Sequence, residues 1–216
     1  VDEYNSQIEA IDTISTIIKS LPTEACPVAC QIGQEHIQSE NPCLRELSLT
    51  LFRNVIEATD DLSLTQTLLQ NLFPAILNDP SPRVREASIY ILLLVVSQNH
   101  ENFSQFIAAL PQHLLNILPR DIEFPVLASS ICDVISRIDN LQSPETVISL
   151  LIKFSEINNP IFLESLFSCI SAIIRHTKNT AVLLSSIVPQ IVELVHMATI
   201  NPVLIANQSF IFYPFD

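Results

Sequence analysis

A proline opens an apolar, helix-patterned stretch five times in this chain, at Pro42, Pro82, Pro125, Pro160 and Pro202, with successive gaps of 40, 43, 35 and 42 residues. A period near forty, with no strand-like alternation between the prolines, restricts the fold to a stack of two-helix units. Proline suits the first turn of a helix, where a missing N–H costs nothing and the fixed φ is already helical. The offsets within each unit repeat too. Leu44, Leu47, Leu51 and Val55 follow Pro42 as Val84, Ala87, Ile91 and Val95 follow Pro82, at a spacing that puts each set on one helix face. The same offsets give Leu127, Ser130, Val134 and Ile138 after Pro125, and Phe162, Ser165, Cys169 and Ile173 after Pro160. Small residues at one offset let neighbouring helices approach closely.

The residues before these prolines, Glu40-Asn41, Asp79-Pro80-Ser81, Asn158-Asn159 and Asn201, are capping and turn formers that satisfy the orphan N–H groups of a first turn. A second helix must fill each period. Leu64 to Leu77, Phe103 to Leu118, Pro144 to Ile157 and Ala181 to Thr199 are the candidates, and Pro74, Pro111 and Pro189 are expected to bend or restart three of them. The expected fold is all-α, an α-solenoid of about five helical-hairpin repeats. It forms a single domain over 1–216, with atypical helices in 1–40, repeats over 41–200 and an incomplete final repeat with an aromatic tail over 201–216.

One glycine, Gly33, stands in the whole chain, so neither a dinucleotide-binding turn nor a phosphate loop can be written, and a G-x-S-x-G nucleophile motif is equally impossible. Hydrophobic residues make up 48%, enough for a core running along a stack. The longest apolar run, Ile89 to Val96, falls far short of a membrane span, and no basic-then-apolar leader is visible after Val1.

Candidate chemistry is sparse, and no catalytic, cofactor-binding or metal-binding residue is assigned. Cys26 and Cys30 lie four apart with His36 following, the one arrangement that resembles a metal site, but no second Cys or His pair completes a tetrahedral set. The competing reading treats these thiols, with Cys43, Cys132 and Cys169, as reduced and packed like small apolar groups. His36, His100, His113, His176 and His196 sit in no nucleophile motif; His100 and His176 fall where a first helix ends, a place that suits a cation. Asp60-Asp61 reads as a solvated turn. Ten Lys and Arg against 23 Asp and Glu give a formal charge of −13, which disfavours direct binding to nucleic acid and is read equally as attraction for basic protein partners or as what keeps an apolar-rich chain in solution.

The segment Asp79-Pro80-Ser81-Pro82-Arg83-Val84-Arg85-Glu86-Ala87 resembles the HEAT consensus, with an acid in the turn, then proline, valine and arginine opening a helix. The resemblance implies a ladder in which acid and arginine pair between adjacent repeats, with Asp79 and Arg85 at the matching positions. Asn41 to Leu47 aligns in register, but Ser39 stands where the acid belongs. Among HEAT proteins, the order of Leu44-Arg45-Glu46, Val84-Arg85-Glu86, Asn102 to Phe106, Ala109-Leu110-Pro111, Ser149 to Lys153 and Ile187 to Ile191 is similar to the importin-beta (karyopherin-beta) family, in particular its importin-four and importin-five type receptors, over roughly Asn41 to Ala198. That resemblance implies a carrier in cytoplasm and nucleus that binds protein cargo, the GTPase Ran and phenylalanine-glycine nucleoporins. It transfers no binding residue. The alternatives are a scaffold or regulatory subunit associated with a phosphatase or ubiquitin ligase, and an enzyme-associated or vesicle-coat solenoid. If the register is right, Leu51→Asp or Ile91→Asp unfolds the surrounding repeats, because an unpaired charge has no compensation in so narrow a core. Thermal melts indistinguishable from wild type would refute the register.

Overall fold

In the computed structural model the described residues are 2–59, 62–98, 101–139, 141–157 and 159–177, with 185, 187–192 and 196. Pro202, Asn201, Asn158, Asp60-Asp61, His100, the aromatic tail and most of the helix expected at Ala181 to Thr199 lie outside them. Among the described residues there are helices and no strand: α1 (Asp2–Ser20), α2 (Pro22–His36), α3 (Pro42–Thr59), α4 (Leu62–Thr67), α5 (Phe73–Leu77), α6 (Pro82–Gln98), α7 (Ser104–Asp121), α8 (Pro125–Ser136), α9 (Pro144–Ile152) and α10 (Pro160–His176). This is the all-α HEAT-repeat solenoid class. Helices α3, α6, α8 and α10 each begin at the proline that the recurrence marks.

The capping expected before those prolines is present. Asn41 Oδ1 accepts from the Cys43 N–H at 2.9 Å, Asp79 Oδ1 from the Ser81 N–H at 2.8 Å, and Asn159 Oδ1 from the Phe162 N–H at 3.2 Å. The apolar register holds at most positions. Leu51, Val55, Val84, Ile91, Val95, Leu127, Val134, Ile138, Phe162, Cys169 and Ile173 are all buried, and Ser130 is buried with its hydroxyl donating to the Val126 carbonyl, whereas Leu44, Leu47, Ala87 and Ser165 are half-buried.

The internal prolines behave in two ways. At Pro74 the second helix restarts as expected: α4 gives way to a π-helical stretch, Leu68–Leu72, and α5 begins with Pro74 in its first turn. A π-turn absorbs the hydrogen bond that proline cannot make. Pro111 does not restart its helix, because α7 runs unbroken through Pro111 and Pro119. Helix α9 stops at Ile152, short of the expected Ile157, and turns follow at Lys153 to Glu156.

The chain divides into two compact units, Val1–Val95 and Val96–Asp216. In the first, Ile18 of α1, Cys26 and Ala29 of α2, and Leu51 and Val55 of α3 form a buried apolar cluster, with Ile14, Ala25, Cys30 and Leu47 packed against it. Buried Asn54 of α3 donates to the Ser15 hydroxyl of α1 at 2.7 Å. In the second unit α8 lies between α7 and α10, and α9 packs on α7 and α10. Polar links there join residues about one period apart: Arg137 to the Ser97 hydroxyl at 3.3 Å, and the Ser149 hydroxyl to Gln190 Oε1 at 3.0 Å. Each unit is thus built from contacts between neighbouring repeats, the energetic signature of a stack.

The chain's one glycine serves packing, not a turn. Gly33 has no positive φ; among the described residues the left-handed conformation belongs to Ser143, just before α9, at φ 56°. A Cβ at position 33 would lie 2.7 Å from Phe52 Cε1, so the missing side chain is what lets α2 press against the buried ring of α3. Gly33→Ala gains about 1 kcal/mol of helix propensity but overpacks the contact at about 1–3 kcal/mol. Urea unfolding of Gly33→Ala should therefore show a net loss, and adding Phe52→Leu should recover part of it. A more stable single variant would exclude the close approach.

Candidate interaction surface

The turn between the second helix of one repeat and the first helix of the next carries the strongest polar constellation in the first unit. Arg45, on α3, donates from Nε to Asp79 Oδ2 at 2.7 Å and from Nη2 to Asp79 Oδ1 at 2.8 Å, a bidentate pair whose side chains are only 14% and 10% exposed. Its third nitrogen, Nη1, donates to the main-chain oxygens of Ser39 at 2.7 Å and Glu40 at 3.0 Å. One period later Arg85 Nη1 donates to the oxygens of Asp79 at 2.6 Å and Pro80 at 3.0 Å. Each arginine thus reaches back five and six residues to fasten the turn that precedes its own helix. Arg45 in addition reaches forward to the acid of the following turn.

This is a rung between adjacent repeats of the kind the consensus implies, with Arg45 of one repeat on Asp79 of the next. The Asp79 carboxylate is clamped by Arg45, and Arg85 grips the main chain beside it. The absence of an acid at Ser39 does not break the clamp, because Arg45 uses the Ser39 carbonyl oxygen. The recurrence of Arg45 and Arg85 forty residues apart, at the same offset from Pro42 and Pro82, was the available signal. Burial pushes the Asp79 carboxyl upward, yet it lies below its usual range, because hydrogen bonds from Arg45 and the Ser81 N–H and the charges of Arg45 and Arg85 together outweigh that cost. Arg45 is raised, chiefly by its hydrogen bond to Asp79.

The metal-like residues are not brought together as a metal site. Cys26 lies in the apolar cluster of α1, α2 and α3, and burial pushes its thiol up, away from the thiolate a metal requires. Among the described residues no cluster of three or more His, Cys, Asp or Glu is placed to hold a metal. Cys132 of α8 and Cys169 of α10 are buried free thiols. Hydrogen bonding to Cys132, then burial, raises the Cys169 thiol well above its usual range. They pack as uncharged groups between adjacent first helices. His176 does end α10, 3.7 Å from Asp139.

Charge is unevenly distributed. Residues 1–95 hold thirteen acids against five bases, and no Lys or Arg occurs between Ser20 and Leu44. Most of the cations there are already engaged. Lys19 and Arg53 both meet Glu57, at 3.1 and 3.4 Å, and the Arg53 guanidinium lies 6.0 Å from the Tyr90 ring centre. Glu46 is raised by burial and, despite Arg83, by the neighbouring charge of Glu86, its counterpart one period on. No described helix is long and apolar enough to cross a membrane.

Residues 53–92, one full period containing α4, α5 and the Asp79 turn, match a family described as "HEAT repeat associated with sister chromatid cohesion". This match, together with the repeat geometry, supports a HEAT-repeat protein. The curated proteins and the solved structures compared with the chain gave no match.

The Asp79 clamp sets an acid limb on stability. A folded carboxyl held below its unfolded value contributes stability that is complete above the unfolded pKa, about 3.9, and disappears as pH falls through the folded one. Asp79→Asn should cost about 2–3 kcal/mol at pH 7 and flatten the decline of stability below about pH 5. Denaturant midpoints of the two proteins measured from pH 7 to pH 3 should converge. Parallel profiles would show that the pair is not formed.

Proposed function

We propose that this chain is a non-catalytic, protein-binding HEAT scaffold whose partners are basic proteins. The observation that carries the reading is the combination of neighbour-to-neighbour packing with the acid-rich composition of residues 1–95, where Lys19, Arg45, Arg53 and Arg85 are tied into contacts within the unit. Such a unit offers shape and negative potential, which steer and hold cationic surfaces. HEAT folds of this kind typically act as scaffolds.

Within that class, the similarity of Asn41 to Ala198 to the importin-beta family supports a nuclear transport receptor, carrying protein cargo between cytoplasm and nucleus and engaging Ran and nucleoporins. The second reading is a scaffold subunit of a multiprotein assembly. It is favoured by the match of residues 53–92 to a HEAT family associated with sister chromatid cohesion. Capture on immobilised Ran separates the two. A transport receptor should bind Ran loaded with GTP and not with GDP. No nucleotide-dependent capture by the full-length protein rejects the receptor and leaves the assembly subunit.

A further inference from the structure

Helix α2 carries an apolar stripe that its own unit does not cover. Leu21, at its start, Val28 and Ile32 are 54%, 56% and 38% exposed and fall on one line of the helix, with half-buried Ala25, whose inner side packs on the cluster of α1, α2 and α3, between the first two. Ile17, in the last turn of α1, is also exposed, at 48%, and its carbonyl oxygen accepts the Leu21 N–H at 2.9 Å. The stripe is distinct from the face that α2 buries, which consists of Cys26, Ala29 and Gly33. Exposed Glu24 and Glu35 follow its outer edge at helical spacing, and Gln31 donates to Glu35 at 2.9 Å. No Lys or Arg interrupts this stretch of sequence.

We propose that this face of α2 is a docking site for an amphipathic helical segment of a basic partner protein, one with an apolar stripe edged by Lys or Arg. An apolar line at i, i+4, i+7 and i+11 matches the anchors by which one helix lies along another. The acidic edge selects the occupant. A second copy of this chain would set Glu24 and Glu35 against their own duplicates, and anionic lipid would be repelled by the same charges. A cationic edge on the partner instead meets both carboxylates while its apolar stripe covers Leu21, Val28 and Ile32. This rests on the reading of the chain as a protein-binding scaffold and names where one partner sits. It does not depend on whether that partner is transport cargo or an assembly subunit.

The test uses the full chain and two synthetic amphipathic 18-residue peptides with the same leucine stripe, one edged with lysine and one with glutamate, followed by fluorescence anisotropy. Wild type should bind the lysine-edged peptide at least tenfold more tightly than the glutamate-edged one. Val28→Ser with Ile32→Ser should weaken that binding at least tenfold. Glu24→Lys with Glu35→Lys should reverse the preference between peptides. Glu123→Lys with Glu164→Lys, an equal change of charge at exposed positions elsewhere, should not. Circular dichroism melts confirm that each variant is folded; these are surface sites, and the charge-swapped pair remains informative if the serine pair melts early. If both charge-swapped pairs weaken binding equally, or the serine pair leaves it unchanged in a folded protein, attraction is diffuse and the site is rejected. Failure of Ran capture leaves this outcome unaffected, so the two readings fail separately.

Discussion

The Arg45–Asp79 pair joins the first helix of one repeat to the turn that launches the next. Three nitrogens of one guanidinium are used, two on the carboxylate and one on the main chain of the preceding turn. A nearly buried ion pair is not in itself a large source of stability, since desolvation offsets much of the attraction. Its consequence is geometric. Arginine's planar fork fixes direction as well as distance, so the clamp sets how far and at what angle the second turn sits from the first. Apolar packing between α2 and α3, or between α8 and α10, tolerates small slides; a bidentate pair tolerates far less.

The repeat was legible in the sequence because proline at a helix start and apolar residues at fixed offsets are local signals, repeated often enough to be read against each other. The helix starts at Pro42, Pro82, Pro125 and Pro160 and the buried Leu51, Ile91, Val134 and Ile173 follow from them directly. What escaped the sequence depended on contacts across the stack. Pro74 and Pro111 look alike in one dimension, yet one is relieved by a π-turn and the other is accommodated within α7. The turn clamp is another such case. The consensus implies an acid and an arginine paired between adjacent repeats, but that Arg45 also holds the Ser39 and Glu40 carbonyl oxygens, and Arg85 those of Asp79 and Pro80, shows only in the folded turn. The match at Gly33 and Phe52 likewise needed two helices in contact before a missing side chain acquired a purpose.

The candidate surface was less legible still, because exposure is a property of the packed unit. Val28 and Ile32 are ordinary aliphatic residues in a stretch whose sequence outlines only atypical helices. Only when Cys26, Ala29 and Gly33 are seen to occupy the buried face do the others become a second, outward stripe. Large aliphatic side chains scattered singly on a surface carry no message. Three aligned along a helix and bordered on one side by carboxylates form a pattern with a complementary shape and sign.

Repeat stacking also explains why such a surface can coexist with a stable fold. In a closed globule each element packs against several others, and an apolar stripe on one helix is usually absorbed into the core. In a stack, a helix is obliged to bury only the face that meets its neighbours. Helix α2 meets that obligation through Cys26, Ala29 and Gly33, with Ala25 at the edge of the same cluster, which leaves Leu21, Val28 and Ile32 little constrained by folding. Residues there are free to be chosen for a partner, because replacing them removes little of the packing that holds the unit together. The division of α2 into a face that folds and a face that recognises is therefore a direct product of the architecture that the prolines announce.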